Sequence, residues 1–202
     1  MFIKRIQEAI ANEELYIDRQ EFENENVSSL AMLRLEFKEV VFKKCRFIDC
    51  DFSKASFYSC QFINCDFSNC TFNSSYWKES LIQACKGEGS KFNESCFKNC
   101  QLLENNFSYA DLSKTAWERC TIEDGTLSRA FFSEAKFKKI KFTNVNLQGV
   151  DFFKTTLKSI DISTCEIKGL MLSDNFSEIK GAKIAPDQAV YLVHLLGVEL
   201  VL

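Results

Sequence analysis

Between Cys45 and Phe72 the chain reads CRFIDCDFSKASFYSCQFINCDFSNCTF, with thiols at Cys45, Cys50, Cys60, Cys65 and Cys70. Thiols five or ten residues apart could ligate a soft metal, close disulfides, relay electrons or simply fill a core. A metal site prefers convergent Cys and His ligands. The one histidine, His194, lies far along the chain, and no Cys-x-x-Cys pair occurs. Acid–base chemistry fares no better, because the lone His194 has no evident partner beyond stray carboxylates such as Asp187. Serines and aspartates are scattered along the whole chain, and neither a P-loop nor a dinucleotide glycine fingerprint is present. These features predict a protein that is not an enzyme, binds no metal and uses no cofactor. Core packing is the favoured role for the cysteines, with disulfides and metal as the alternatives.

What would position the thiols is a repeat. Every fifth residue from Ile17 to Leu172 is large and apolar except Gly87, over 32 positions, and 16 of the 20 phenylalanines fall on this register. The exceptions are Phe2, Phe131, Phe153 and Phe176. Two residues before each large one lies a position that is mostly small from Cys45 to Thr155, and nine of the ten cysteines occupy it; Cys96 does not. The remaining positions are mostly polar. A period of five winds around an α-helix and alternates faces on a flat strand, so neither element holds the large residues on one side. The small and large residues of one unit point the same way, so the chain must turn once per unit, after the large residue. Such a chain is a coil, and stacked coils pair their backbones in parallel about 4.8 Å apart. Gly87 interrupts the register as a local bulge, as a gap filled by its neighbours or as a flexible binding face, and Gly87→Leu is expected to fill a gap.

A chain of 202 residues with 46% hydrophobic content suits one domain, and its net charge of −3 sets up no strong global field towards nucleic acid or membrane. No apolar run approaches the roughly 18 residues of a membrane span. The start, MFIKRIQEAIANEELY, breaks its apolar run with charge and does not resemble a signal peptide. Reduced thiols in the cytoplasm are therefore expected.

Units such as CDFSK (50–54), CDFSN (65–69), ADLSK (110–114) and VDFFK (150–154) resemble the pentapeptide-repeat family. The resemblance implies an all-β fold: a right-handed quadrilateral parallel β-helix, or β-solenoid, with four units per coil. Thirty-two units then make about eight coils, a rod of roughly 38 Å. The expected organisation is an N-terminal cap over 1–15, the repeat over 16–176 and a C-terminal helix and tail over 177–202. The cap rests on a weak apolar stripe at Ile3, Ile6, Ala9 and Ile10.

After the repeat, Pro186 suits a first helical position and Gly197 a residue after a helix end, predicting a short α-helix over 186–196. Its apolar residues exceed what one coil end can cover. The tail therefore predicts a homodimer through Ala189, Leu192, Val193, Leu196, Val198 and Leu200. The same segment, IKGAKIAPDQAVYLVHLLGVEL, is similar to the tail of the Qnr quinolone-resistance proteins at Gln188, Ala189, Leu196 and Gly197. That resemblance implies end-to-end dimers that mimic DNA in shape and bind DNA gyrase or topoisomerase IV.

Charge tests the mimicry, since duplex DNA carries a negative charge every 1.7 Å or so. With residues 20 apart stacked, one column reads Asp18, Lys38, Tyr58, Lys78, Lys98, Glu118, Lys138 and Lys158; its Lys38, Lys78, Lys98, Lys138 and Lys158 make a basic ladder opposite in sign to a DNA mimic. A second column carries Asp51, Asp111 and Asp151, the candidate partner face. Unlike many Qnr proteins, the repeat has no inserted loop. Two readings follow: a Qnr-like ligand of gyrase or topoisomerase IV, or a scaffold rod with an unrelated protein partner. Direct nucleic-acid binding and membrane association are not expected.

Overall fold

The computed structural model describes residues 2–195 and 197–198. Tyr16, Ile17 and Asp18 pair in parallel with Glu36, Phe37 and Lys38, and the same offset of 20 recurs along the repeat. Twenty residues are four five-residue units, so each coil has four sides. The chain is a parallel β-solenoid with a short C-terminal helix.

Two adjacent sides are flat sheets of seven strands each. The first runs from Tyr16–Asp18 to Lys136–Lys138 and the second from Glu21–Glu23 to Lys141–Thr143. The third side begins as a strand pair, Asn26–Ser28 with Arg46–Ile48, and then joins the fourth in single bridges and tight turns. The ladders thus have seven regular rungs, fewer than the eight coils predicted. Residues 156–158 and 161–163 add no eighth strand to either sheet, and beyond them the spacing changes, with Asp161 bridging to Lys183, 22 residues away. Phe176, with φ 53°, and the 3₁₀ turn Ser177–Ile179 take up the additional length.

Every coil turns by placing the residue two after the large one in left-handed backbone. Arg19, Asn24, Ser29, Arg34 and Glu39 have φ between 46° and 61°, and the pattern continues to Ser159. This region disfavours most side chains. Most such residues donate their N–H to a carbonyl of the next coil, which holds the turn, as Ala84 does to the Leu103 carbonyl at 2.9 Å.

Inside, rings stack by column. Phe37, Phe57, Trp77, Phe97 and Trp117 follow one another with centroids 3.9–5.7 Å apart and planes within 20°. Neighbouring columns meet edge to face, as Phe57 and Phe62 do at 5.6 Å. Both arrangements favour the ring quadrupoles. Gly87 is neither a bulge nor a flexible face. Its N–H keeps the ladder bond to Asn106, and the rings of Phe67 and Phe107 lean together at 5.8 Å. A Cβ there would lie 2.5 Å from Phe107 Cε1, so Gly87→Leu does not fill a gap.

Helix α1 (Phe2–Ala11) lies over the first coil. It buries Ile6 and Ala9 of the stripe read from the sequence, but leaves Ile3 and Ile10 exposed and buries Phe2 instead. Phe2 is the anchor, its ring 4.8 Å from Phe22 and its N–H 3.1 Å from Glu25 Oε1.

Candidate functional site

A void among the described interior residues, between Ile82, Phe97, Leu102, Trp117 and their neighbours, is about 10 Å³, room for one water at most. Among the described residues, no cluster of three or more His, Cys, Asp or Glu could hold a metal ion. All ten cysteines are free thiols, and all but Cys96 are buried. Cys45, Cys60, Cys65, Cys70, Cys85 and Cys120 each donate to the carbonyl of a large residue one coil back, as Cys60 does to Phe37 at 3.3 Å. Ser80, Ser90, Ser95 and Thr155 do the same with hydroxyls. The inner small position thus takes compact residues, and where it is Cys, Ser or Thr the side chain can also give a hydrogen to a buried carbonyl, whereas Ala55, Ala110 and Ala130 there only pack. Burial pushes the Cys60 thiol up to about 11. The hydrogen bond between Cys50 and Cys70, and then burial, push Cys70 up, and the same bond draws Cys50 down. With Cys50 and Cys70 2% exposed or less, neither is open to reagents.

The surface must then carry function. Lys38, Lys78, Lys98 and Lys138 do stand in one column of the first sheet, in register with Asp18, Tyr58 and Glu118; Lys158 lies on the coil beyond the last strand. The column is not an open run of positive charge. Glu118 takes Lys138 at 3.2 Å and Lys98 at 3.8 Å, and Arg119 also pairs with it. The hydrogen bond from Lys138 holds the Glu118 carboxyl below its usual range, with Arg119 and Lys98 adding to the effect. Lys78 pairs with Glu79 at 3.7 Å.

Asp51, Asp111 and Asp151 likewise share one column on the fourth side. Their carboxylates are turned back on the chain: Asp51 Oδ1 accepts from the Ser53 N–H and hydroxyl, Asp111 from the Ser113 N–H, and Asp151 from the Phe153 N–H and Ser133 Oγ. Asp66 with Ser68 and Asp161 with Ser163 repeat the motif. These are Asx turns, which a short acceptor two residues before an N–H makes. The Asp-x-Ser spacing visible in the sequence thus marks the turn-built sides, a signal the charge-column reading passed over.

At the C-terminal end, helix α2 (Ala189–Leu195) is shorter than predicted, because 186–188 form a turn. Ala189, Leu192 and Val193 are half-buried, and Leu192 packs against the core. The side left to solvent carries Val190, Tyr191, Leu195 and Val198. Of the six residues predicted to pair two copies, Val198 alone is on this open side among the described residues; Leu196 and Leu200 lie outside them. Gln188, 4% exposed, seals the joint: Nε2 donates to the Ile162 and Cys165 carbonyls, and Oε1 accepts from the Ala185 N–H. Glu178 closes the inserted segment beneath it, accepting from the Lys154 and Ser173 N–H groups and from Ser173 Oγ. Among the described residues, no helix is long and apolar enough to cross a membrane.

A family model described as the pentapeptide repeat region matches residues 55–132 and 97–172, and one for eight copies of the repeat matches 36–73. The chain belongs to the pentapeptide-repeat family. Among solved structures, this pentapeptide-repeat protein resembles a trypsin-treated point variant of QnrB1, described as a plasmid-mediated fluoroquinolone resistance protein. Identity is 24% over 92% of this chain and 95% of that one, with a TM-score of 0.61. A second trypsin-treated point variant of QnrB1 matches at 23% identity over 92% and 95% of the two chains, with a TM-score of 0.56. These likenesses establish the fold. No curated protein sequence matches the chain.

Proposed function

We propose that this pentapeptide-repeat protein is a non-catalytic rod that binds a type II topoisomerase, DNA gyrase or topoisomerase IV, in the manner of Qnr proteins. The observation that carries the reading is the shared coil architecture with QnrB1 along 92% of the chain. The tail adds to it: Gln188, one of its Qnr-like positions, joins helix α2 to the last coil. The apolar side of α2, with Val190, Tyr191, Leu195 and Val198, is the surface through which two copies would meet end to end. The partner face is the side of Asp51, Asp111 and Asp151, away from the lysine column, because a basic DNA-holding groove would repel lysines.

A supercoiling assay with gyrase, and a decatenation assay with topoisomerase IV, each with and without a quinolone, tests this. The expected result is inhibition or drug protection that scales with the ratio of rod to enzyme and needs no cofactor. No effect at micromolar excess would leave the second reading, a scaffold with another protein partner. That reading draws support from the lysine column and from the turn role of the three aspartates, which both weaken resemblance to DNA.

A further inference from the structure

The second sheet differs from the other sides in the order of its outward residues. Each of its seven rungs presents a first and a third residue. The first residues run Glu21, Val41, Gln61, Leu81, Gln101, Thr121 and Lys141. The third residues run Glu23, Lys43, Ile63, Gln83, Leu103, Glu123 and Thr143. The three central rungs carry no charge, and their Ile63, Leu81 and Leu103 are half-exposed. Charge sits at both ends, paired within the chain: Lys43 with Glu21 at 2.8 Å, and Lys141 with Glu123 at 3.6 Å.

The order is complementary to itself when reversed about the middle rung. The geometry points to this face as a docking surface for a second copy, laid antiparallel with Leu81 over Leu81. Glu21 then faces Lys141, Lys43 faces Glu123, Ile63 faces Leu103, and Gln61 faces Gln101. The two ion pairs already formed within each copy join into a closed ring of alternating charge at each end. Equal rung spacing in the two copies keeps every pair in register along the face.

Competing registers are opposed. A slip of one rung sets either Glu23 against Glu123 with Lys43 on Leu103, or Ile63 against Glu123 with Val41 on Lys141. A parallel arrangement brings Glu21 and Glu23 of both copies together. Like charges and unpaired desolvated charges discriminate against such alternatives. The face is narrow, one strand and its flanking turns wide, so the contact belongs with small, reversible interfaces. It is separate from the end-to-end contact through α2, and both can form in one assembly.

Cross-linking of the full chain in a Cys96→Ser background tests the proposal. Facing sheets pack about 10 Å apart, too far for a direct disulfide, so a short bis-maleimide is the probe. Leu81→Cys is expected to give a cross-linked dimer. Leu103→Cys alone should give none, and an equimolar mixture of Ile63→Cys and Leu103→Cys should give one. An end-to-end dimer holds the two positions 81 roughly 40 Å apart, so it does not produce the signal. Adding Lys43→Glu should abolish the Leu81→Cys product, and adding Glu123→Lys as well should restore it. The proposal is overturned if Leu81→Cys yields no dimer. It is equally overturned if Leu103→Cys alone cross-links as well as Leu81→Cys, or if Lys43→Glu has no effect.

Discussion

Gly87 and its neighbours show how much a single inner position controls. The rings of Phe67 and Phe107, 40 residues apart in sequence, meet because the coil between them presents no side chain. A Cβ at Gly87 would come within 2.7 Å of both. Gly87→Leu should therefore destabilise by about 1–3 kcal/mol, as overpacking does. Phe67→Ala, which empties the same space, should cost about 3–5 kcal/mol. Urea midpoints of the two variants check both values; a Gly87→Leu midpoint at or above wild type would mean that the rings are not in contact. The thiols supply a second test at this scale. Nine are buried, so a thiol reagent should titrate Cys96 alone in the native protein and all ten once unfolded without reductant. Several fast-reacting groups in the native state would contradict the inner placement.

At the level of elements, the solenoid depends on its two ends, where a coil has no neighbour to complete its bonds. Helix α1 covers one end with Phe2, Ile6 and Ala9. At the other, Glu178 and Gln188 carry the hydrogen bonds. Burial acts to raise the Glu178 carboxyl, but bonds from its own N–H, Ser173 and Lys154 outweigh it and leave the group below its usual value. A carboxyl lowered in the folded state contributes stability above its unfolded value of about 4.3, and that stability is lost as pH falls through the folded value. Glu178→Gln should therefore lower the melting temperature at neutral pH, with the gap to wild type closing below about pH 4. Melting curves from pH 7 down to 3 check this, and a gap independent of pH would assign Glu178 a packing role only.

For the whole molecule, the apolar side of α2 predicts the assembly. Leu195→Glu, at a side chain that is 38% exposed, should abolish the end-to-end contact and lower the assembly's mass, with little change in melting temperature. Light scattering of the 23.3 kDa chain reads the difference. Partner binding has its own variant. Asp→Asn at Asp51, Asp111 and Asp151 removes three charges yet keeps an acceptor for each turn, so the rod should fold normally. Loss of the topoisomerase effect in this folded variant would place the partner on that side, and an unchanged effect would remove the aspartates from the interface.

The coil was legible in the sequence because its cause is local. A large residue every fifth position, from Ile17 to Leu172, cannot be kept on one side by a helix or a flat strand, and a small residue two places earlier sets the inner contour. The turn-built sides were legible as well, in the Asp-x-Ser spacing of units such as 51–53 and 111–113, because an Asx turn needs only neighbours. The rest required residues that no local pattern brings together. Stacking residues 20 apart already set Glu118 between Lys98 and Lys138, but the folded side chains show it pairing with both and so dividing the basic ladder. Fold geometry also let Phe67 and Phe107 close over Gly87, a space the sequence leaves open. Beyond the last regular rung the offset grows to 22 residues at Lys183, and in the segment that follows Leu192 packs against the core while Leu195 stays exposed. Each of these depends on which side chain is opposite which across the stack. Local spacing decides that the chain coils, but the contacts between coils decide which charges are free and which apolar residues remain for a partner.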